Sequence, residues 1–156
     1  RADDAQSGGA VHFARSGGKA MMNLIIGLKG TGKTKMLIDE VNKAVSVSKG
    51  AVICIEWGKK LTYDVKHQVR LIDAKDYSID DAEYLYGFVT GILAGNYDVT
   101  ELFIDSALKI CGDDMEAFKK FMLMLAPIVE KYNVHCVITS SMAVEDCPEE
   151  LKQFIA

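Results

Sequence analysis

The stretch NLIIGLKGTGKTK, residues 23–35, changes character at Gly27. The apolar run that ends there, led in by Met22, is short and reads as a buried strand. Three glycines, Gly27, Gly30 and Gly32, then frame a loop that Lys33 and Thr34 close. The residues that follow, GKTKMLIDEVNKAVSV, place Met36, Leu37, Val41, Ala44 and Val45 on one helical face, with Asp39, Glu40 and Lys43 elsewhere. Lys49-Gly50 stops that pattern. A strand, a glycine-rich loop and a helix in immediate succession set the register for the rest of the chain.

The alternation continues. AVICIE (51–56) is a second buried strand, and VRLIDA (69–74) a weaker third. DDAEYLYGFVTGILAG predicts a helix from near Asp80 to Gly95. ELFIDS (101–106) is a strand ending in a carboxylate, and DDMEAFKKFMLMLAPIVEKY (113–132) a helix with a kink or break expected at Pro127. VHCVITSS (134–141) is another strand, and PEELKQFI (148–155) suits a short helix with Pro148 near its start. The expected fold is α/β: a three-layer sandwich around a mainly parallel sheet of about five strands.

Residues 1–21, RADDAQSGGAVHFARSGGKAM, follow no period and carry two SGG triplets. They read as a tag or a disordered N-terminal extension, with His12 incidental, ahead of one domain over 22–156. The chain of 156 residues is 49% hydrophobic, which excludes a disordered protein. Its formal charge of -4 disfavours attraction to nucleic acid or to an anionic membrane. None of the four cysteines, Cys54, Cys111, Cys136 and Cys147, forms a C-x-x-C pair. They read as buried free thiols of a reducing compartment. No apolar run approaches the ~18 residues of a membrane span and no secretory signal is evident, so a cytoplasmic location is expected.

Gly27-Leu28-Lys29-Gly30-Thr31-Gly32-Lys33-Thr34 fits G-x-x-x-x-G-K-[ST], the Walker A pattern. Each part has a physical reason. Glycines reach positive φ and let backbone N–H groups approach a polyphosphate. A helix opening near Lys33 points its free N–H groups and positive dipole end at the anion. Lys33 supplies a mobile cation, and Thr34 a hydroxyl for Mg²⁺. Gly27 through Lys35 are therefore the expected nucleotide-binding residues. Lys29 is a loop lysine, one place past the position, here Leu28, where some P-loop ATPases carry a second signature lysine. The dinucleotide fingerprint G-x-G-x-x-G fails at Lys35. A carboxylate at the end of a buried strand should complete the Mg²⁺ site, and LFIDS offers Asp105.

Hydrolysis needs a group that orients or deprotonates water. Glu56 ends the AVICI run and would face the terminal phosphate if its strand lies beside that of Asp105; Glu101 reads as a strand-start or surface residue. Ser106 follows Asp105, so the frequent Asp-Glu form is absent. Thr139 and Ser140 end the VITSS strand as candidate polar sensors of the γ-phosphate or water. Past residue 15 the only arginine is Arg70, which fits a structural ion pair better than a catalytic finger. His67 reads as a surface or partly buried polar residue, Lys59-Lys60 as a solvated turn, and FMLMLAPIV as helix core.

The order GLKGTGKT, VICIE, LFIDSALKI, VITSS resembles the RecA-type branch of P-loop NTPases: phosphate loop, catalytic glutamate, Walker B strand, sensor strand. The stretches LTYDVKHQVRLIDA, YGFVTGILAGNYDV and LFIDSALKI are similar to small bacterial ATP-binding proteins loosely labelled twitching-motility-type ATPases. That likeness implies ATP binding, not a pilus motor: the extra N-terminal domain and the His-rich and Asp-rich boxes of retraction ATPases are missing. The closing strand usual beside the phosphate-loop strand is also not obvious. The expected function is Mg²⁺-dependent ATP binding with slow or partner-stimulated hydrolysis, ATP and Mg²⁺ being the cofactors and a protein partner or second copy the stimulating agent. ATP over GTP is the default expectation; a guanine-specific N-K-x-D is absent, since Asn42-Lys43 lies in the first helix without the aspartate. The alternatives are a nucleotide-dependent switch without significant turnover and, less well supported by one arginine, a small-molecule kinase.

Overall fold

A computed structural model of the chain describes residues 20–155. The expectation for the N-terminal stretch, His12 included, falls almost wholly outside them. Met21, assigned by sequence to that stretch, is buried, and its carbonyl accepts a hydrogen bond from Cys136 N at 2.7 Å.

The elements run β1 (Met22–Gly27), α1 (Lys33–Val47), β2 (Ala51–Glu56), β3 (Arg70–Asp73), α2 (Ala82–Gly95), β4 (Val99–Ile104), the single turn α3 (Ala107–Ile110), α4 (Met115–Tyr132) and β5 (His135–Ser141). Short 3₁₀ segments occupy Ala74–Tyr77, Val144–Asp146 and Glu149–Phe154. The five strands form one sheet in the order β1-β5-β4-β2-β3, and every pairing is parallel. The chain leaves β1, builds β2 and β3 at the far side, then returns to fill the gap with β4 and β5. Residues far apart in sequence therefore meet at the carboxyl edge.

Period-two alternation divides the strand side chains between two cores. Val52, Cys54, Phe103 and Val137 face α1, which contributes Leu37, Val41 and Ala44. Ile53, Ile55, Leu102, Ile104, Cys136 and Ile138 face α2 and α4, which contribute Leu85, Val89, Phe118, Met122 and Leu125. Both faces of the sheet are covered, which is why the central strands read as continuous apolar runs. Met36, expected on the buried face of α1, is 53% exposed.

Local signals set the helix ends. The Asp81 carboxylate accepts from Tyr84 N and caps α2, and Asp114 accepts from Ala117 N and caps α4. Asn133 ends α4 in the left-handed conformation at φ 58°. Pro127 neither ends nor divides α4. The carbonyl left without its usual partner belongs to Leu123, which is exposed and can be hydrated. The segment expected as a final helix is a 3₁₀ run, in which i and i+3 side chains eclipse; this drops Leu151 and Phe154 together into the core. Just beyond it, Ile155 makes an isolated parallel bridge to Leu24 on the outer edge of β1.

All four cysteines are buried and free. Burial raises each thiol, Cys111 to about 12, so none is poised as a thiolate nucleophile. Among the described residues, no helix is long and apolar enough to cross a membrane.

Candidate functional site

The carboxyl ends of β1, β5, β4 and β2 converge on one edge, where ligands bind in open parallel sheets. Gly27 ends β1, and its carbonyl accepts from Met142 N. A Cβ at Gly27 would stand 2.6 Å from Thr31 Oγ1, so a side chain there would displace the hydroxyl that ties the loop. Gly30 and Gly32 hold φ of 85° and 91°, in the left-handed region. Thr31 Oγ1 donates to Leu28 O at 2.7 Å and ties the loop across its own base.

Gly32 is the N-cap of α1 and offers no side-chain acceptor, so the first-turn N–H groups stay free for an anion. Lys33 is 9% exposed, and its Nζ donates to Leu28 O at 3.0 Å. No carboxylate neutralises it among the described residues. The loop and helix start open into a cavity of about 430 Å³. Lys29, Lys33, Lys35, Lys60 and Lys109 line it, with Asp113 the one acidic lining residue. A chain of net charge -4 thus concentrates cations in one cleft.

Asp105 follows β4 directly, sits against the cleft-lining Thr34 and Thr139, and is 6% exposed. Its backbone N–H donates to Ile55 O, which extends the β4–β2 ladder by one bond. Three hydroxyls reach its carboxylate. Thr139 Oγ1 donates to Oδ1 at 2.7 Å, Thr34 Oγ1 to Oδ1 at 3.2 Å and Oδ2 at 3.3 Å, and Ser106 Oγ to Oδ2 at 3.4 Å. A buried carboxylate held only by neutral donors is an incomplete arrangement that a cation would balance. The pair fits Mg²⁺: two adjacent ligands of an octahedral ion at about 2.1 Å stand about 3 Å apart, close to the Thr34–Asp105 separation. Both donors are hard oxygens, and Mg²⁺ takes few protein ligands beside phosphate and water.

Thr139 also accepts Ser106 N at 2.9 Å, so its one hydroxyl proton and one of its lone pairs hold the Asp105 corner while the residue lines the cavity. Ser140 points to the other side of the strand, where its Oγ accepts Leu108 N at 3.3 Å at the start of α3. Ser141, two residues beyond Thr139, lines the cavity instead. Alternation along β5 carried that signal: residues 139 and 141 share a face.

Glu56 ends β2, and β2 does lie beside β4, with Ile55 opposite Ile104. The carboxylate is 2% exposed. Its Oε1 accepts Lys60 N at 2.9 Å and Leu61 N at 3.1 Å, so it is turned into the loop that follows β2. Burial holds this carboxyl above its ordinary value, against the two backbone hydrogen bonds that lower it, with Asp73 and Asp105 adding to the rise.

The remaining candidates are distant or engaged elsewhere. Glu101 pairs with His135 Nδ1 at 2.8 Å near the starts of β4 and β5, the opposite edge of the sheet. Arg70 is exposed at the start of β3 and forms no ion pair among the described residues, so the expected structural pair is not there. His67 is exposed. Lys59 is bound by Asp76 at 2.7 Å and Asp73 at 3.5 Å, whereas Lys60 lines the cleft. The sequence reading did not place Lys60, Lys109, Ser106 or Asp113 in the cleft: Lys60 and Asp113 lie outside the quoted motifs, and Ser106 and Lys109 follow the strand-end aspartate with no residue type that marks a ligand contact. Comparison with protein-family models and with curated proteins gives no match for this chain.

Proposed function

We propose that the chain is a Mg²⁺-dependent ATP-binding protein of the P-loop, RecA-like type, with slow or partner-stimulated hydrolysis. The observation that carries the reading is the contact between Asp105 and Thr34, a residue that lines a lysine-rich cleft. A hydroxyl from the first turn of a helix and a carboxylate from the end of a distant strand meet where a polyphosphate would lie. In this reading Gly27 to Lys35 wrap the phosphates, Lys33 neutralises their charge, and Thr34 with Asp105 would hold Mg²⁺. Bound there, the ion would screen phosphate oxygens and fix their orientation.

Slow turnover is part of the proposal because of Glu56. A general base must reach the attacking water, and the Oε1 atom of this carboxylate is occupied by two N–H groups of its own loop. The cleft also contains no arginine among its lining residues. The same two observations favour the second reading, a nucleotide-dependent switch, which differs from the first only in turnover. A partner, or a second copy, that draws Glu56 away from Lys60 and Leu61 would convert one into the other.

The test of the binding reading is Lys33→Ala. ATP with Mg²⁺ should raise the melting temperature of the parent, since a ligand selective for the folded state stabilises it. The variant should lose that rise. An unchanged rise in Lys33→Ala overturns the reading. Steady-state phosphate release, with Glu56→Gln as control, separates hydrolysis from switching.

A further inference from the structure

We infer that Lys60 is a ligand of the terminal phosphate, presented by a loop that Glu56 holds in place, so that Glu56 acts first as a positioning residue. This inference rests on the nucleotide reading above and adds a residue that the loop motif does not contain.

The loop after β2 is pinned at almost every residue. Gly58, at φ 87°, turns the chain, and its N–H donates to Asp73 Oδ1 at 2.8 Å. Lys59 is tied down by Asp76 and Asp73. Lys60 N–H and Leu61 N–H both donate to Glu56 Oε1. Leu61 is 2% exposed and packs in the core beneath α1. One side chain in this loop is left without such a tie: Lys60, which has no carboxylate partner among the described residues and lines the cleft. Fixing a backbone so completely around a single unpaired cation is what an anion site requires, because little ordering entropy is then lost on binding.

Lys60 also approaches from a direction no other lining residue does. The rest come from the phosphate loop and α1, from the segment after β4, or from β5. Lys60 alone comes from the β2 side of Asp105. A chain of phosphates running over Lys33 and Thr34 toward Asp105 would present its far end to Lys60. Lys60 would then supply from within the chain the charge that an arginine often supplies in phosphoryl transfer. The carboxylate of Glu56, buried and hydrogen-bonded, provides the rigid anchor.

The experiment compares affinities for ADP, ATP and inorganic tripolyphosphate, with Mg²⁺, by calorimetry. Lys60 is exposed, so Lys60→Ala should fold. The expected result is a loss of about tenfold for ATP and tripolyphosphate, with ADP changed less than about twofold. Glu56→Ala should reproduce the ATP loss, and adding Lys60→Ala to it should cause little more. Glu56→Gln, whose amide oxygen can still accept both N–H groups, should retain the ATP preference. If Lys33→Ala abolishes binding while Lys60→Ala leaves all three affinities unchanged, the Lys60 inference is overturned and the nucleotide reading stands. If Lys60→Ala weakens ATP but Glu56→Gln loses the preference as fully as Glu56→Ala, the positioning role is overturned. A parent protein that binds none of the three overturns both.

Discussion

Thr34 and Asp105 are 71 residues apart in the chain, and their side chains meet at 3.2 Å, the threonine hydroxyl donating to Oδ1. Two strands, β5 and β4, enter the sheet between β1 and β2 to make this possible. The contact therefore depends on the whole topology, while each partner depends on a local pattern: one closes a glycine loop, the other ends an apolar run.

Asp105→Asn tests what that contact is for. The asparagine oxygen can still accept from Thr139 and Thr34, so the corner should keep its shape while losing its charge. Nucleotide alone should still stabilise the variant, but the extra stabilisation from Mg²⁺ should vanish. A tenfold loss in affinity corresponds to about 1.4 kcal/mol of ligand stabilisation, or roughly 3–6 °C in a domain of this size. Melting curves with ATP, with and without Mg²⁺, would measure it. Equal Mg²⁺ increments in parent and variant would remove Asp105 from the metal site.

Thr139→Val tests the support beneath Asp105. Valine preserves the shape of a residue that is 1% exposed but removes the donor to Asp105 Oδ1 and the acceptor of Ser106 N. Loss of a buried bond with a charged acceptor, leaving an N–H without its partner, costs about 1–3 kcal/mol. Urea unfolding should register that loss in Thr139→Val and recover most of it in Thr139→Ser. A valine variant as stable as the parent would mean the hydroxyl is not holding the corner.

The sequence was legible where structure follows from neighbours. Gly27, Gly30, Gly32, Lys33 and Thr34 lie in eight consecutive residues, and the apolar runs announced all five strands because both faces of the sheet are covered. What stayed hidden depended on contacts across the fold or on side-chain direction. Lys60 looked like half of a solvated turn with Lys59; only the placement of Asp73 and Asp76 separates the two, engaging one lysine and leaving the other in the cleft. Glu56 was located at its strand end, but its direction is set by the loop at 57–61, which has no period to read. Met36 kept the helical spacing of its neighbours and still lies outside the core, because α1 crosses the sheet with a narrower buried stripe of Leu37, Val41 and Ala44. The ion pair expected of Arg70 does not form among the described residues, because the start of β3 leaves it exposed.

Glu56→Gln should change stability with pH in a direction fixed by its environment. Burial raises the folded carboxyl above its ordinary value of 4.5. The folded state then holds this proton more tightly than the unfolded chain does, so the contribution favours folding at acid pH. It is lost as pH rises from near 4.5 through the raised folded value. Above that window the buried carboxylate is ionised and its desolvation opposes folding, while glutamine stays neutral and still accepts from Lys60 N and Leu61 N. The variant should therefore be more stable than the parent at pH 8, with the difference shrinking toward pH 4. Asp73 shifts the other way: burial raises it, but hydrogen bonds from Gly58 N and Lys75 N and the charge of Lys59 outweigh that and hold it below its ordinary 3.8, so its own titration falls beneath the window. Urea unfolding of nucleotide-free parent and variant across pH 4–8 isolates the Glu56 contribution. A difference that stays flat across that range, or grows toward acid, would mean that Glu56 is not held above its ordinary value in the folded protein.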